Sequence, residues 1–216
     1  MIVAIEGAPG VGKSATAAAL RDAGAYVVPE VNLLFARPVP EPAGWYHDRQ
    51  AARWEMARLK ESQGELAVLD GDPLQPIWLG WIFDNEAWSL PAESIAFYRS
   101  KFVERGMKVP DQYVLLHIAE EERRDRMLKR ERARGLGEGR AQLKTERYSR
   151  MVQPQIAFFN ALSDRFPGWV NFVETTSIEE TVAAIKSIGA PDAAPDSITA
   201  IDFIAEWIAT HSAAEV

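Results

Sequence analysis

Met1-Ile2-Val3-Ala4-Ile5-Glu6-Gly7-Ala8-Pro9-Gly10-Val11-Gly12-Lys13-Ser14 is the stretch whose reading decides the fold. Residues 1–6 are a short apolar run without helical periodicity, the pattern of a strand buried on both faces. Residues 7–14 match G-x-x-x-x-G-K-[ST] at every fixed position. Glycines at those spacings let the backbone wrap an anion with successive N–H groups turned inward. The helix-forming run Ala15 to Ala23 follows, and the N-terminus of a helix there brings its positive end to the same place. The pattern predicts a phosphate site built by Gly7, Ala8, Pro9, Gly10, Val11, Gly12, Lys13, Ser14 and Ala15. Lys13 would reach the β- and γ-phosphates of a nucleotide, and the Ser14 hydroxyl would bind Mg²⁺.

Working outward, residues 25–29 read as a second strand ending at Glu30. The segment 31–44, with Pro38, Pro40, Pro42 and Gly44, reads as a loop. A helix is expected over 46–63 and a third strand over 65–69, stopped by Asp70-Gly71-Asp72-Pro73. Helices follow near 76–85 and over 92–105, then a fourth strand over 112–118. A charged helix over 120–134 runs into Gly135, Gly137 and Gly139. Residues 141–165 read as helical with Pro154 as a kink or break, 169–173 as a fifth strand and 177–188 as a helix. Strands alternating with helices imply an α/β fold, a five-stranded parallel sheet with helices on both faces. Residues 1–188 are expected to form the domain and 189–216 a linker and tail helix. Ile201, Ile204, Trp207 and Ile208 give that helix one apolar stripe, which predicts docking on the domain. A dimer contact is the alternative, so monomer and homodimer both stay open.

Composition narrows the class. The chain has 216 residues, 47% apolar, 10% aromatic and 25% charged, ordinary for a globular protein with a sizeable core. No apolar run approaches the ~20 residues of a membrane span. The N-terminus lacks the basic region and cleavage site of a signal peptide. With Cys 0, disulfides, thiolate zinc sites and cysteine nucleophiles are excluded, and His 3, scattered, disfavours a histidine metal site. The net charge of −7 argues against nucleic acid as a partner. The expectation is a cytoplasmic enzyme with no membrane association.

Further candidates cluster around the phosphate loop. Asp70 directly follows an apolar strand, where a carboxylate lies beside the loop and can hold Mg²⁺ through water. Asp72, two residues on, is a candidate for Mg²⁺ or for the acceptor, against a plain turn role. Glu30, also at a strand end, could accept a proton from an acceptor hydroxyl. On the charged helix, Arg126 and Arg130 are four apart and share a face, so a flap hinged at the glycines could bring arginines onto a transferring phosphoryl group. Five of the Trp 7 fall between residues 45 and 88 (Trp45, Trp54, Trp78, Trp81 and Trp88). Core packing is the plain reading of each; together they suggest an aromatic-lined acceptor pocket involving Trp45, Trp78 and Trp81.

These residues together resemble the P-loop kinases of nucleosides and nucleotides, the deoxynucleoside and thymidylate kinase group above all, with nicotinamide-riboside-type kinases nearby. The resemblance runs from residue 1 to about 188 and is carried by short motifs. Besides residues 7–14, they are Pro110-Asp111-Gln112-Tyr113-Val114-Leu115-Leu116-His117 and the arginines that follow. The resemblance implies an arginine LID over about 120–140, with Arg126, Arg130 and Arg132 bracketing the phosphates. It also implies that Glu30 is the base at the acceptor hydroxyl and that Asp70 is the acid of the family's Asp-Arg pair. Gly71 stands where the family has that arginine. This departure counts against a conventional deoxynucleoside or thymidine monophosphate acceptor, with Arg99 as a substitute cation.

The function expected is transfer of the γ-phosphoryl group of ATP or GTP to a hydroxyl of a nucleoside-like small molecule, with Mg²⁺ as cofactor. An antibiotic-inactivating kinase falls within that reading. Lys13, Glu30 or Asp72, Asp70 and the LID arginines would carry catalysis, and Glu30, Trp45, Asp72, Trp78, Trp81 and Arg99 would bind the acceptor. A nucleoside monophosphate kinase is the alternative. A nucleotide switch fits less well: it needs an Asn/Thr-Lys-x-Asp motif, but the fourth strand ends in His117-Ile118-Ala119 and the fifth in Glu174-Thr175-Thr176.

Overall fold

The structure is a computed structural model that describes residues 1–83, 90–189 and 194–215. Its strands are β1 (Ile2–Glu6), β2 (Tyr26–Val28), β3 (Ala67–Asp70), β4 (Gln112–His117) and β5 (Val170–Glu174). Its helices are α1 (Lys13–Asp22), α2 (Val31–Leu34), α3 (Trp45–Glu61), α4 (Gln75–Ile82), α5 (Pro91–Arg105), α6 (Glu120–Ala133), α7 (Glu138–Ser149), α8 (Val152–Arg165), α9 (Ile178–Ser187) and α10 (Ser197–Thr210). The strands pair in parallel throughout, in the order β2-β3-β1-β4-β5. With the phosphate loop at the carboxyl end of its central strand, this is the P-loop NTPase fold.

Strand alternation sorts the core into two layers. Ile2, Ala4, Ala67, Leu69, Tyr113 and Leu115 face one side, where residues of α3, α4, α5, α8 and α10 cover them. Val3, Ile5, Val68, Val114 and Leu116 face the other, covered from α1 and α9 by Leu20 and Ile185. Both faces are apolar because every parallel crossover lays a helix on one of them. The carboxyl ends of β1, β2 and β3 therefore emerge together at one edge of a buried sheet, the usual place for a ligand in this architecture.

One local expectation changes. The Pro-rich segment starts with the short helix α2, whose Leu33 and Leu34 amides bond the Glu30 carbonyl. Of the kink or break expected near Pro154 the structure has a break, between α7 and α8, and Pro154 sits in the first turn of α8, where a missing N–H removes no helical bond. The tail helix docks as its stripe predicts. Ile201 and Ile204 are buried, Phe203 packs on Phe166 and Trp207 on Trp81.

Candidate active site

The phosphate loop is shaped by its glycines and by one arginine. Gly10 has φ +105°, and a Cβ there would lie 2.7 Å from the Arg123 carbonyl oxygen, so conformation and space both require glycine. Ala8 and Val11 are buried and form the underside of the loop. Arg123, 1% exposed, donates to the Pro9 carbonyl at 2.7 Å and to Ser149 Oγ at 2.6 Å, and pairs with Glu120. The loop is thereby fastened to α6 and α7. Lys13 Nζ donates to the Gly7 carbonyl at 2.5 Å, within the loop it would serve.

Beside the loop lies a cleft of about 570 Å³, lined by Pro9, Gly10, Gly12, Lys13, Ser14 and Ala15 on one side and by Arg126, Arg130, Arg134 and Lys144 on the other. The α6 arginines at this wall are spaced by four, so residue 134 belongs to the same face and residue 132 does not. Arg132 is turned away, 50% exposed and paired with Glu138, and lines neither cleft. The position on the cleft wall expected of Arg132 is held by Arg134, which continues the four-residue spacing of Arg126 and Arg130 and pairs with Glu131.

A second cavity, about 250 Å³, is lined by Glu6, Glu30, Asp70, Gly71, Arg53, Gln75 and Tyr46 among others. The two spaces share Pro9, Lys13, Glu30, Asn32 and Tyr148. Glu30 and Lys13 thus stand where a nucleotide phosphate in the first would meet a molecule in the second. Asp70 is 3% exposed, and its Oδ1 has no hydrogen-bond partner. Burial, then the neighbouring Glu30 charge, raise its pKa. An orphaned buried oxygen on a carboxylate residue of the cavity lining fits a cation or its water shell. Among the described residues no cluster of three His, Cys, Asp or Glu could cage a metal alone.

Sequence reasoning missed two members of this site. Arg53, on α3 and 1% exposed, donates to the Pro29 carbonyl at 2.7 Å, the Asp70 carbonyl at 2.5 Å, the Gly71 carbonyl at 3.1 Å and Gln50 Oε1 at 2.5 Å. It clamps the ends of β2 and β3, which carry Glu30 and Asp70, and stands near the position Gly71 leaves without a cation. Glu6, 1% exposed, ends β1, and burial above all raises its pKa to about 7. Its charge in an otherwise apolar strand was the available signal.

Other expected site residues lie elsewhere. Asp72 is 1% exposed and accepts from Leu74 N at 2.9 Å, Tyr113 Oη at 2.8 Å and Trp78 Nε1 at 2.9 Å. With its oxygens engaged inside the core it lines neither cleft, which corrects its placement as base or metal ligand. Trp78 is buried against Phe159. Trp81 packs on Trp207 and donates to the His211 carbonyl. Trp45 begins α3 and lines neither cleft. Trp88 lies outside the described residues. The aromatic residues that line the second cavity are Tyr46, Phe83 and Tyr148. Arg99 pairs with Asp202 on α10 and does not reach the cavity.

No family model and no curated protein sequence matches the chain. Among solved structures it is similar to deoxyadenosine kinase from M. mycoides with bound dATP, at 19% identity and a TM-score of 0.45, over 86% of this chain and 97% of that one. The same kinase with bound dCTP aligns at 18% identity and a TM-score of 0.44 over the same shares. At these values the likeness carries no argument about chemistry, and the fold rests on the chain's own sheet order and phosphate loop.

Proposed function

We propose that this protein is a P-loop kinase that moves the γ-phosphoryl group of ATP or GTP to a hydroxyl of a nucleoside-like small molecule. One observation carries the reading: a basic cleft on the phosphate loop and an acid-lined cavity meet at Lys13 and Glu30. The triphosphate would lie on the loop amides, with Lys13, Arg126, Arg130 and Arg134 around the phosphates. Glu30, within the acceptor cavity, would take the hydroxyl proton as the oxygen attacks in line. Ser14 and Asp70 are the residues that would hold Mg²⁺, which when bound offsets charge on the β- and γ-phosphate oxygens.

The lining of the acceptor cavity supports a hydroxyl over a phosphate acceptor. Three acids, Glu6, Glu30 and Asp70, line it, and of its arginines Arg53 directs its guanidinium to backbone carbonyls and Gln50 while Arg147 lies over the Phe83 ring. The test is nucleoside-dependent release of ADP or GDP, run over nucleosides, their monophosphates and nucleoside antibiotics. Turnover with hydroxyl acceptors supports the proposal. Turnover confined to monophosphates assigns the alternative, and no turnover with any of them refutes both.

A further inference from the structure

Glu6 is the one carboxylate lining the acceptor cavity that the proposed reaction does not use, and its bonding is unlike that of Glu30 or Asp70. Each oxygen accepts from two different parts of the molecule. Oε1 takes the Gln75 side-chain amide at 3.1 Å and the Asp72 amide at 3.3 Å. Oε2 takes the Gly7 amide at 3.0 Å and the Gln155 side-chain amide at 3.4 Å. Gly7 is the first residue of the phosphate loop, Gln75 begins α4 in the cavity wall, and Gln155 comes from α8.

The arrangement extends one bond further. Gln75 Oε1 accepts from Tyr46 Oη at 2.9 Å, and Tyr46 also lines the cavity. Above about pH 7, where Glu6 is ionised and offers only acceptors, it keeps the NH₂ end of Gln75 toward itself and leaves the oxygen for Tyr46. Without that constraint the Gln75 amide could be flipped, and its oxygen would no longer accept from Tyr46 Oη. The other oxygen of Glu6 accepts from the first amide of the phosphate loop.

We propose that Glu6 is a positioning residue that ties the phosphate loop to the acceptor wall, fixing the orientation of Gln75 and Tyr46 relative to the loop. It touches neither transferred group and acts through those neighbours. The inference rests on the kinase reading and adds to it a specific determinant of acceptor binding. A carboxylate with acceptors on both sides can serve both elements at once. A carboxamide in the same volume must present an NH₂ to at least one donor.

The experiment uses the full chain and whichever of adenosine, deoxyadenosine, cytidine and deoxycytidine the wild type phosphorylates. Glu6→Gln is expected to raise the acceptor KM and lower kcat by about tenfold each, in line with roughly one hydrogen bond misplaced at each element. Nucleotide Kd, measured without acceptor, is expected to stay within about twofold, since Lys13 and the remaining loop amides are untouched. Gln75→Leu, which leaves the loop side intact, should reproduce the KM effect with less loss of kcat. The swap Glu6→Gln with Gln75→Glu restores a donor–acceptor pair between the two positions. It should recover part of the acceptor KM, a non-additivity that loss of packing alone would not give. An unchanged acceptor KM in Glu6→Gln, strictly additive losses in the swap, or a loss of nucleotide affinity equal to the loss of acceptor affinity would each overturn the proposal. With an active wild type, those results leave the kinase reading standing. A wild type that phosphorylates no acceptor overturns both.

Discussion

Replacing Asp72 by asparagine separates a structural carboxylate from a catalytic one, and the structure sets the size of the effect. Asp72 is buried among Leu74, Trp78 and Tyr113, and burial raises its pKa from the usual 3.8 to about 6 in spite of the hydrogen bonds it accepts. A folded-state pKa above the unfolded value means the native protein holds the proton more tightly. The favourable contribution is therefore complete below about pH 4 and is lost as the pH rises through about 6. At roughly 1.4 kcal/mol per pKa unit, the loss amounts to on the order of 3 kcal/mol above pH 7. The carboxamide of Asp72→Asn has the shape of the protonated carboxyl and does not ionise. Its NH₂ must face the Leu74 amide or the Trp78 indole N–H, so the variant should lie below the wild type near pH 4 by about 1–3 kcal/mol, and between pH 4 and pH 8 it should gain on the wild type by on the order of 3 kcal/mol. For a chain of this size that is about 6–12 °C in Tm. Neutralising residue 72 also removes one of the charges that raise Glu6, which adds in the same direction. The assay is thermal and denaturant unfolding of both proteins across pH 4–8, with kcat measured alongside. A difference between variant and wild type that does not shift in the variant's favour as the pH rises would refute the burial argument. A kcat lowered by orders of magnitude in a folded variant would return Asp72 to the chemistry.

The other predictions concern the phosphate side. Lys13→Ala should abolish transfer while Tm stays within a few degrees, because the loop backbone is held by glycine geometry and Arg123; normal turnover would remove Lys13 from the site. Arg130→Ala should lower kcat by at least about a hundredfold, in the range of arginines that stabilise phosphoryl transfer, whereas Arg132→Ala should change it less than about twofold. Equal losses would mean the face assignment of α6 is wrong. Gly10→Ala should weaken nucleotide binding at least about tenfold and lower Tm, since its Cβ meets the Arg123 carbonyl at a strained φ, with strain alone costing about 1–3 kcal/mol. Isothermal titration with ATP and GTP reads the first effect directly.

How much of this was legible in the sequence depends on the range over which each feature is encoded. The strands and the phosphate loop are local: an apolar run, then glycines at fixed spacing, then a helix former. The reading of Glu30 and Asp70 as strand-end acids needed only the strand boundaries, and the structure puts both in one cavity. Asp72 could not be read the same way. Two of its partners, Trp78 and Tyr113, come from α4 and from β4, and only the packed sheet shows that they consume its oxygens. The tryptophans misled for a related reason. Trp78 and Trp81 are taken up by contact with α8 and with the tail-helix segment, which supplies Trp207 and the His211 carbonyl. Arg53 is invisible to pattern reading, because a cation on a polar helix looks solvated until its guanidinium is found against the carbonyls of two strand ends. In the charged helix the spacing was sufficient. Carrying the step of four from Arg126 and Arg130 onward leads to Arg134 and passes over Arg132.

The most direct test of the central claim follows the label from γ-labelled ATP or GTP in the presence of the nucleoside panel, with wild type and Glu30→Gln side by side. The account predicts that wild type places the label on an acceptor hydroxyl. In Glu30→Gln, the same transfer should fall by about 10²–10⁴-fold with nucleotide Kd unchanged. Label released only as inorganic phosphate, or transfer that is indifferent to Glu30→Gln, would contradict it.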